Sequence, residues 1–338
     1  MMPLYLGSSP HTGTHTRVHT IMLHVIIALL PASVFGVALY GLPALAAILV
    51  SVAAASAGEA LFRAVTRQEN RTKDLSAVIT GLLLALIVPP STPLWMLALG
   101  SLFAVVVAKE FFGGLGSNVF NPALSGRAFL IMSFPPALVN WTMPFVDAVS
   151  AATPLGIAPG AAREHIAAVG RSLFEAGLSH SGGYWDTIRT LLVGSRAGST
   201  GESSIICILA GFIYLLVFKV IDWRAPCAMI ASAFVLTFLL GGDPLFGILS
   251  GGIVFGAVFM ATDYTSAPLT AKGKLVFGCG AGIITVLIRK WGSFPEGVTY
   301  GILMMNAVTP FLNRLLQKKY GAPKKTKAVS AGAKEQAK

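Results

Sequence analysis

The chain has 338 residues, of which 54% are hydrophobic and only 12% are charged, and its formal net charge is +11. Soluble domains carry about 25% charged residues, so this composition excludes an ordinary soluble fold and predicts a polytopic membrane protein. The basic residues lie in short loops and in the C-terminal tail, as membrane-orientation signals do, and not on a soluble face that would bind nucleic acid.

Ten apolar runs follow one another along the chain, and helices of roughly 20 residues are what a bilayer requires. The first five runs cover 21–42, 44–65, 75–88, 94–112 and 122–139. The second five cover 204–221, 225–240, 245–260, 275–288 and 298–316. We therefore predict an all-α integral membrane protein with about ten transmembrane helices.

The runs divide the chain into five predicted parts. These are an N-terminal segment (1–20), a first five-helix half (21–139), a polar region (140–203), a second five-helix half (204–317) and a disordered lysine-rich tail (318–338). With ten spans and a cytoplasmic N-terminus, most Lys and Arg residues fall on the cytoplasmic side. This predicts that both termini are cytoplasmic and that the polar region is extracytoplasmic. No cleavable signal peptide is predicted.

The three cysteines, Cys207, Cys227 and Cys279, stand singly in apolar stretches and form no C-x-x-C pair. We therefore expect neither a disulfide framework nor iron–sulfur ligation on this chain. No metal site is predicted.

A weak internal repeat relates the two halves. The stretch 79–93 is similar to 250–268, and 109–120 is similar to 290–300. An odd number of spans separates the copies, so they would run in opposite directions across the membrane. Short segments interrupted by Gly and Pro at matching positions indicate a central site built from broken helices. The alternative is that Gly and Pro are simply common in membrane helices.

The stretch 147–155, Asp-Ala-Val-Ser-Ala-Ala-Thr-Pro-Leu, ends a run of small residues on the hydroxyl of Thr153. Taken alone, such a stretch is typical of turns and caps. Its pattern Asp-x-x-Ser-x-Ala-Thr, from Asp147 through Ser150 to Thr153, resembles a flavin attachment site. There a flavin transferase joins FMN to threonine through a phosphoester. Glycine usually follows the serine, and here the residue is Ala151, which is also small.

This motif occurs in the D subunit of the Rnf electron-transport complex and in the B subunit of the sodium-pumping NADH:quinone reductase. Other motifs of this family follow in the same order along most of residues 75–312. They are Gly-Gly-Leu-Gly-Ser-Asn-Val-Phe-Asn-Pro-Ala (113–123) with Gly126-Arg127, Gly-Ser-Thr-Gly-Glu-Ser (198–203), Trp-Arg-Ala-Pro (223–226), Met-Ala-Thr-Asp (260–263) and Phe-Pro-Glu-Gly-Val (294–298). The chain starts almost at the first apolar run, so it is more similar to the Rnf members, which lack a longer N-terminal extension.

The resemblance implies a redox subunit of an ion-translocating complex in the cell inner membrane. FMN would be bound covalently to Thr153, on the extracytoplasmic side, and electron transfer would be coupled to Na⁺ or H⁺ movement. Ferredoxin and NAD would react on other subunits, which include an FMN-bearing subunit and iron–sulfur subunits. A complete active site on this chain alone is not expected.

The resemblance also implies a second flavin, riboflavin, near the cytoplasmic side. Asn118, Asn121 and Arg127 are the candidates, because amides offer donors and acceptors to a flavin ring edge. Alternatively, 113–121 is a tight re-entrant turn, and Arg127 either neutralises a reduced flavin or pairs with Glu110. Glu202 is expected in the first turn of the sixth helix, as a cap or as a contact of the FMN phosphate.

Two other classes of protein stay open. Two inverted five-helix halves could enclose a pore for a small solute, as in urea channels, which would make the chain a permease. A purely structural assembly subunit is the third possibility.

Overall fold

This computed structural model describes residues 18–68, 72–139, 141–142, 150–151, 153–157, 162–175, 182–194, 196–292 and 296–316. The first half contains α1 (Val18–Tyr40), α2 (Leu42–Val65), α3 (Ser76–Ile87), α4 (Leu94–Leu102), the π-helix Phe103–Val107, α5 (Pro122–Ser133) and α6 (Pro135–Val139). The second half contains α10 (Ile205–Val217), α11 (Arg224–Leu239), α12 (Pro244–Leu249), α13 (Ile253–Phe255), the π-helix Gly256–Met260, α14 (Ala271–Trp291) and α15 (Val298–Leu316).

Between the halves lie short elements. They are strands β1 (Trp141–Thr142) and β2 (Ser150–Ala151) and helices α7 (Pro154–Ile157), α8 (Arg163–Glu175) and α9 (Tyr184–Val193). Two single 3₁₀ turns, Thr72–Asp74 and Glu110–Phe112, complete the described structure. The described part of the molecule is therefore helical apart from one two-stranded ribbon, as predicted.

Four of the described helical stretches are long and apolar enough to cross a membrane by length and composition. They are Val18–Tyr40, Leu42–Val65, Leu94–Phe112 and Ala271–Trp291. Of the other predicted runs, the tenth forms the 19-residue helix α15, and the rest are shorter or interrupted. The fifth run breaks at Phe134 and the eighth breaks at residues 250–252, where the chain leaves helical geometry. The predicted helices are present, but several are half-helices.

In the first half, α2 and α4 run parallel and α4 and α5 run antiparallel. The hydroxyls of Ser51 and Ser101 lie 2.8 Å apart, and later in both segments Lys109 Nζ, just after the π-helix that continues α4, lies 3.1 Å from Glu59 Oε1 of α2. Gly100 packs on the side chain of Leu130, while the later Ala104 packs on the earlier Gly126. Close approach of this kind is what small residues permit between membrane helices.

The second half repeats this arrangement. Gly278 and Gly282 of α14 pack on Ala225 and Met229 of α11, so these two helices run parallel. Helices α14 and α15 run antiparallel. Gly280 of α14 packs on Met305 of α15, whereas residues later in α14 pack on residues earlier in α15. The helix order and packing of the two halves therefore correspond.

The first helices of the two halves, α1 and α10, are antiparallel. His24 Nδ1 lies 2.8 Å from the hydroxyl of Tyr214, and the later Ala28 packs on the earlier Gly211. Because corresponding helices run in opposite directions, the two halves form an inverted repeat. This confirms the arrangement predicted from the weak sequence similarity.

We expect Gly282→Ala to destabilise the fold by about 1–3 kcal/mol, the usual cost of overpacking. A Cβ on Gly282 would collide with the backbone carbonyl of Met229, and backbone cannot move aside cheaply. Gly280→Ala is the matched control, because a Cβ there meets only the flexible end of the Met305 side chain. Thermal unfolding in detergent measures both, and equal midpoints would contradict the prediction.

Candidate functional site

The segment that carries Thr153 follows a small β-ribbon. Strands β1 and β2 pair antiparallel, with Trp141 opposite Ala151, and the chain then enters α7. Thr153 is 4% exposed, and its Oγ1 accepts a hydrogen bond from the backbone N–H of Gly156 at 3.2 Å. Asp147 lies outside the described residues, and of Ser150 only the backbone is described.

The Thr153 segment lies against the break between α12 and α13. A Cβ built on Gly251 would lie 3.6 Å from Leu155 Cδ2 and 2.9 Å from Arg289 Nη2. Gly251 also has a φ of +78°, which favours glycine. The break therefore depends on a glycine at which the Thr153 segment and an arginine of α14 converge.

Two arginines bind the carbonyl groups that the end of α12 leaves without helical partners. Arg196 donates to the backbone oxygen of Leu249 at 2.6 Å, and Arg289 donates to the oxygens of Gly247 at 2.5 Å and Ser250 at 3.2 Å. Unpaired backbone groups in a membrane cost several kcal/mol each, so a broken helix requires such partners. The two guanidinium groups thus stabilise the break electrostatically and by hydrogen bonding.

Glu202 lies on the other side of the break. Its carboxyl carbon would lie 3.4 Å from a Cβ on Gly252, the residue before α13, and Ser199 Oγ donates a hydrogen bond to its Oε1. Burial, together with the neighbouring carboxylate of Glu296, raises the pKa of Glu202 well above its usual range. The expected place in the first turn of the sixth helix is wrong, because α10 begins at Ile205 with Ser204 as its cap.

Arg127 pairs with Glu296, which precedes α15, and not with Glu110. Glu110 instead pairs with Arg63 at 3.1 Å, inside a buried tetrad that Glu59 and Lys109 complete. We use the name charge cluster for five side chains near the helix break: Arg127, Arg196, Glu202, Arg289 and Glu296. Their interactions link both halves of the molecule at the Thr153 end.

A pocket opens at the opposite end of the molecule. It contains about 730 Å³ of empty space, counting the part open to solvent. The pocket is lined by side chains of both halves, among them Met22, Thr80, Asn118, Asn121, Thr262 and Asp263.

The three residues predicted to bind the second flavin do not lie together. Asn118 and Asn121 line the pocket, whereas Arg127 belongs to the charge cluster. Asn121 is engaged at both ends of its amide, because Oδ1 accepts from the N–H of Leu124 at 3.2 Å and Nδ2 donates to the oxygen of Met260 at 3.4 Å. Asn118 Nδ2 donates to the oxygen of Phe120 at 3.1 Å.

Helix α1 connects the two ends. Val25 lines the pocket, and the hydroxyl of Tyr40 donates to the backbone oxygen of Arg196 at 3.0 Å. At 1.5 Å of rise per residue, these positions are about 22 Å apart. The Thr153 segment and the pocket therefore lie at opposite ends of the helix bundle.

Sequence reasoning missed Arg196 and Arg289 as site residues. It counted both only as orientation charges outside the apolar runs. The signal that could have found them is the glycine pair at 251–252, because a helix broken inside an apolar run leaves carbonyl groups that need donors.

The sequence model of the family described as "NQR2, RnfD, RnfE" matches residues 5–321. A protein of Clostridium ljungdahlii, named as the D subunit of a proton-translocating ferredoxin:NAD(+) oxidoreductase complex, is 42% identical over 322 residues, which cover 92% of this chain and 94% of that protein.

Two further relatives span nearly the whole chain. A protein of Acetobacterium woodii, named as the D subunit of a Na(+)-translocating ferredoxin:NAD(+) oxidoreductase complex, is 38% identical, with 97% of this chain and 98% of that protein covered. A protein of Stutzerimonas stutzeri, named as the D subunit of an ion-translocating oxidoreductase complex, is 36% identical, with 94% and 96% covered.

Proposed function

Because the chain belongs to the NQR2, RnfD, RnfE family, we propose that it is the membrane subunit of an ion-translocating ferredoxin:NAD oxidoreductase complex that relays electrons through FMN bound covalently to Thr153. Its helices and its family identify a multi-pass membrane protein. The orientation follows the basic residues, with both termini cytoplasmic and Thr153 extracytoplasmic.

The observation that carries this proposal is the position of one hydroxyl. Thr153 ends the Asp-x-x-Ser-x-Ala-Thr pattern and lies two residues from Leu155, which contacts the break between the half-helices. Membrane proteins of this architecture place their sites at such breaks. A covalent group on Thr153 would therefore be held beside the charge cluster.

The residues present fit a phosphoester at this position. Thr153 Oγ1 accepts one hydrogen bond from Gly156, and a β-branched side chain on a short capped helix holds it in a defined place. The charge cluster contains three guanidinium groups and two carboxylates, so it favours an anionic group nearby. FMN would supply the redox chemistry through its ring system, while the chain sets depth and electrostatics.

The pocket at the opposite end fits a second, neutral flavin. Its lining combines apolar side chains with hydroxyl, amide and charged groups, and the amide of Asn118 makes fewer hydrogen bonds within the protein than that of Asn121. Riboflavin lacks a phosphate, so it does not require a cluster of cations. With flavins at both ends, electrons would cross the subunit between them, and ferredoxin and NAD would react on partner subunits with iron–sulfur and FMN groups.

A mass measurement tests the proposal. The complex is purified from cells that contain the flavin transferase and is digested with trypsin, which yields a peptide of residues 128–163 around Thr153. We expect this peptide to carry one FMN less one water and the denatured chain to fluoresce in a gel. An unmodified peptide and a dark band would favour the permease.

A further inference from the structure

One face of α15 carries polar side chains along its whole length. Thr299, Asn306, Thr309 and Asn313 are separated by seven, three and four residues, which places them on one side of a helix. Thr299 and Asn306 are fully buried, and Thr309 is 5% exposed. Glu296, which belongs to the charge cluster, lies just before the first residue of this helix. Polar side chains buried in a membrane helix need hydrogen-bond partners, either from neighbouring helices or from water.

Several of these polar atoms have no protein partner among the described residues. They are Glu296 Oε1, Thr299 Oγ1 and both amide atoms of Asn306. Thr309 is different, because its hydroxyl donates to the backbone oxygen of Met305 at 3.1 Å in its own helix. Buried polar atoms are bonded to protein or to ordered water in more than 90% of cases. The unpartnered atoms therefore indicate binding of small polar species along α15.

This face joins the two ends of the molecule. Glu296 lies with Glu202 in the charge cluster beneath the Thr153 segment, and Asn313 lines a solvent-open pocket with Val18 and Tyr264 at the other end. Seventeen residues at 1.5 Å each span about 25 Å, close to the roughly 30 Å of a hydrocarbon core. The polar face is therefore long enough to cross most of the membrane.

We propose that this face of α15 forms a hydrated proton path through the subunit, which begins at Glu296 and passes Asn306 at mid-membrane. The transferred species is H⁺, which binds a Glu296 carboxylate oxygen from water on one side and leaves to the next water along α15. The carboxylate is regenerated, and no electron is exchanged. The role in coupling rests on the proposed function of the chain as a subunit of an ion-translocating complex.

Two observations favour a proton over a metal cation. The described residues contain no group of three or more His, Cys, Asp or Glu side chains that could hold a metal ion. Glu296 shares its surroundings with the cations Arg127 and Arg289, which repel a bound metal ion, and with the carboxylate of Glu202. The unpartnered atoms of Thr299 and Asn306 can both donate and accept hydrogen bonds, as a chain of water molecules that carries a proton requires.

The test uses the whole complex in proteoliposomes with a pH dye inside. We expect Asn306→Leu to lower proton movement per electron about tenfold or more, because an apolar side chain of similar size removes the mid-membrane binding atoms. Thr299→Val is expected to act in the same direction. Thr285→Val is the matched control, because this buried threonine lies on α14, outside the polar face, and its hydroxyl donates to the backbone oxygen of Ala281 at 2.7 Å in its own helix.

Electron transfer with a protonophore present, together with in-gel flavin fluorescence, shows whether each variant is assembled and redox-active. Normal proton movement in assembled Asn306→Leu and Thr299→Val complexes would overturn the path. Loss of Na⁺ movement with proton movement unchanged would overturn the assignment to H⁺. A wild-type chain without flavin fluorescence would instead remove the proposed function, so the two failures are distinguishable.

Discussion

Replacing Thr153 with valine is expected to reduce covalent flavin on this chain to background. Valine has nearly the same shape but no hydroxyl, so no phosphoester can form. The fold should survive, because the change removes only one hydrogen bond, from the N–H of Gly156 at 3.2 Å. Loss of such a cap costs about 0.5–2 kcal/mol. In-gel fluorescence and ferredoxin–NAD electron transfer by the purified complex measure the effect.

Two controls accompany this variant. Thr153→Ser keeps the hydroxyl and should retain fluorescence. Thr262→Val removes a threonine hydroxyl at the opposite pocket, where Oγ1 donates to the backbone oxygen of Val258 at 2.6 Å, and should leave the covalent flavin unchanged. A fluorescent Thr153→Val band would show that the attachment site lies elsewhere.

Arg196→Met is expected to produce the largest loss of stability, about 3–5 kcal/mol, the usual cost of removing one member of a buried charge network. Arg196 is 2% exposed, and its guanidinium bonds the backbone oxygens of Leu249 at 2.6 Å and Glu202 at 2.8 Å. Methionine fills similar space but donates no hydrogen bond. Both carbonyl groups would lose their donor, and the acidic side of the charge cluster would lose a cation.

Arg189→Met is the control, because Arg189 is an exposed side chain of α9 and its loss should change stability little. Thermal unfolding of the two variants in the same detergent measures the difference. We also expect the Thr153 segment of Arg196→Met to be cut faster by protease, since the α12 break that it contacts would no longer be held. Equal midpoints for the two variants would contradict this account of the break.

The helices and their order could be predicted from the sequence because hydrophobicity over roughly 20 residues is a local property. The inverted repeat was also detectable, through Gly and Pro at matching positions. The partner of Arg127 was not, because Glu296 is 169 residues away and only tertiary packing brings them together. Local sequence instead suggested Glu110, which the structure places in the tetrad with Arg63.

In the candidate site, too, local motifs could be predicted from the sequence and long-range contacts could not. The pattern around Thr153 is contiguous and was found directly, whereas the donors at the helix break come from Arg196 before α10 and Arg289 at the end of α14. Asn118 and Asn121 were found together because one short motif carries both, and they do share one pocket. Arg127 follows in the same motif but lies in the charge cluster and not in the pocket. It stands five residues along α5 from Pro122, so the helix carries it away from the pocket edge.

The break at Gly251 has a consequence for biosynthesis. The carbonyl groups at the end of α12 are bonded in part by Arg289, which the ribosome adds only after the π-helix and almost all of α14 have been made. Until that helix enters the bilayer, the nascent chain lacks two of the three arginine hydrogen bonds that allow the interrupted segment to reside in lipid. Membrane insertion of α12 and α13 must therefore be completed late, after translation of α14, and chains truncated before Arg289 should be held by the translocon or degraded.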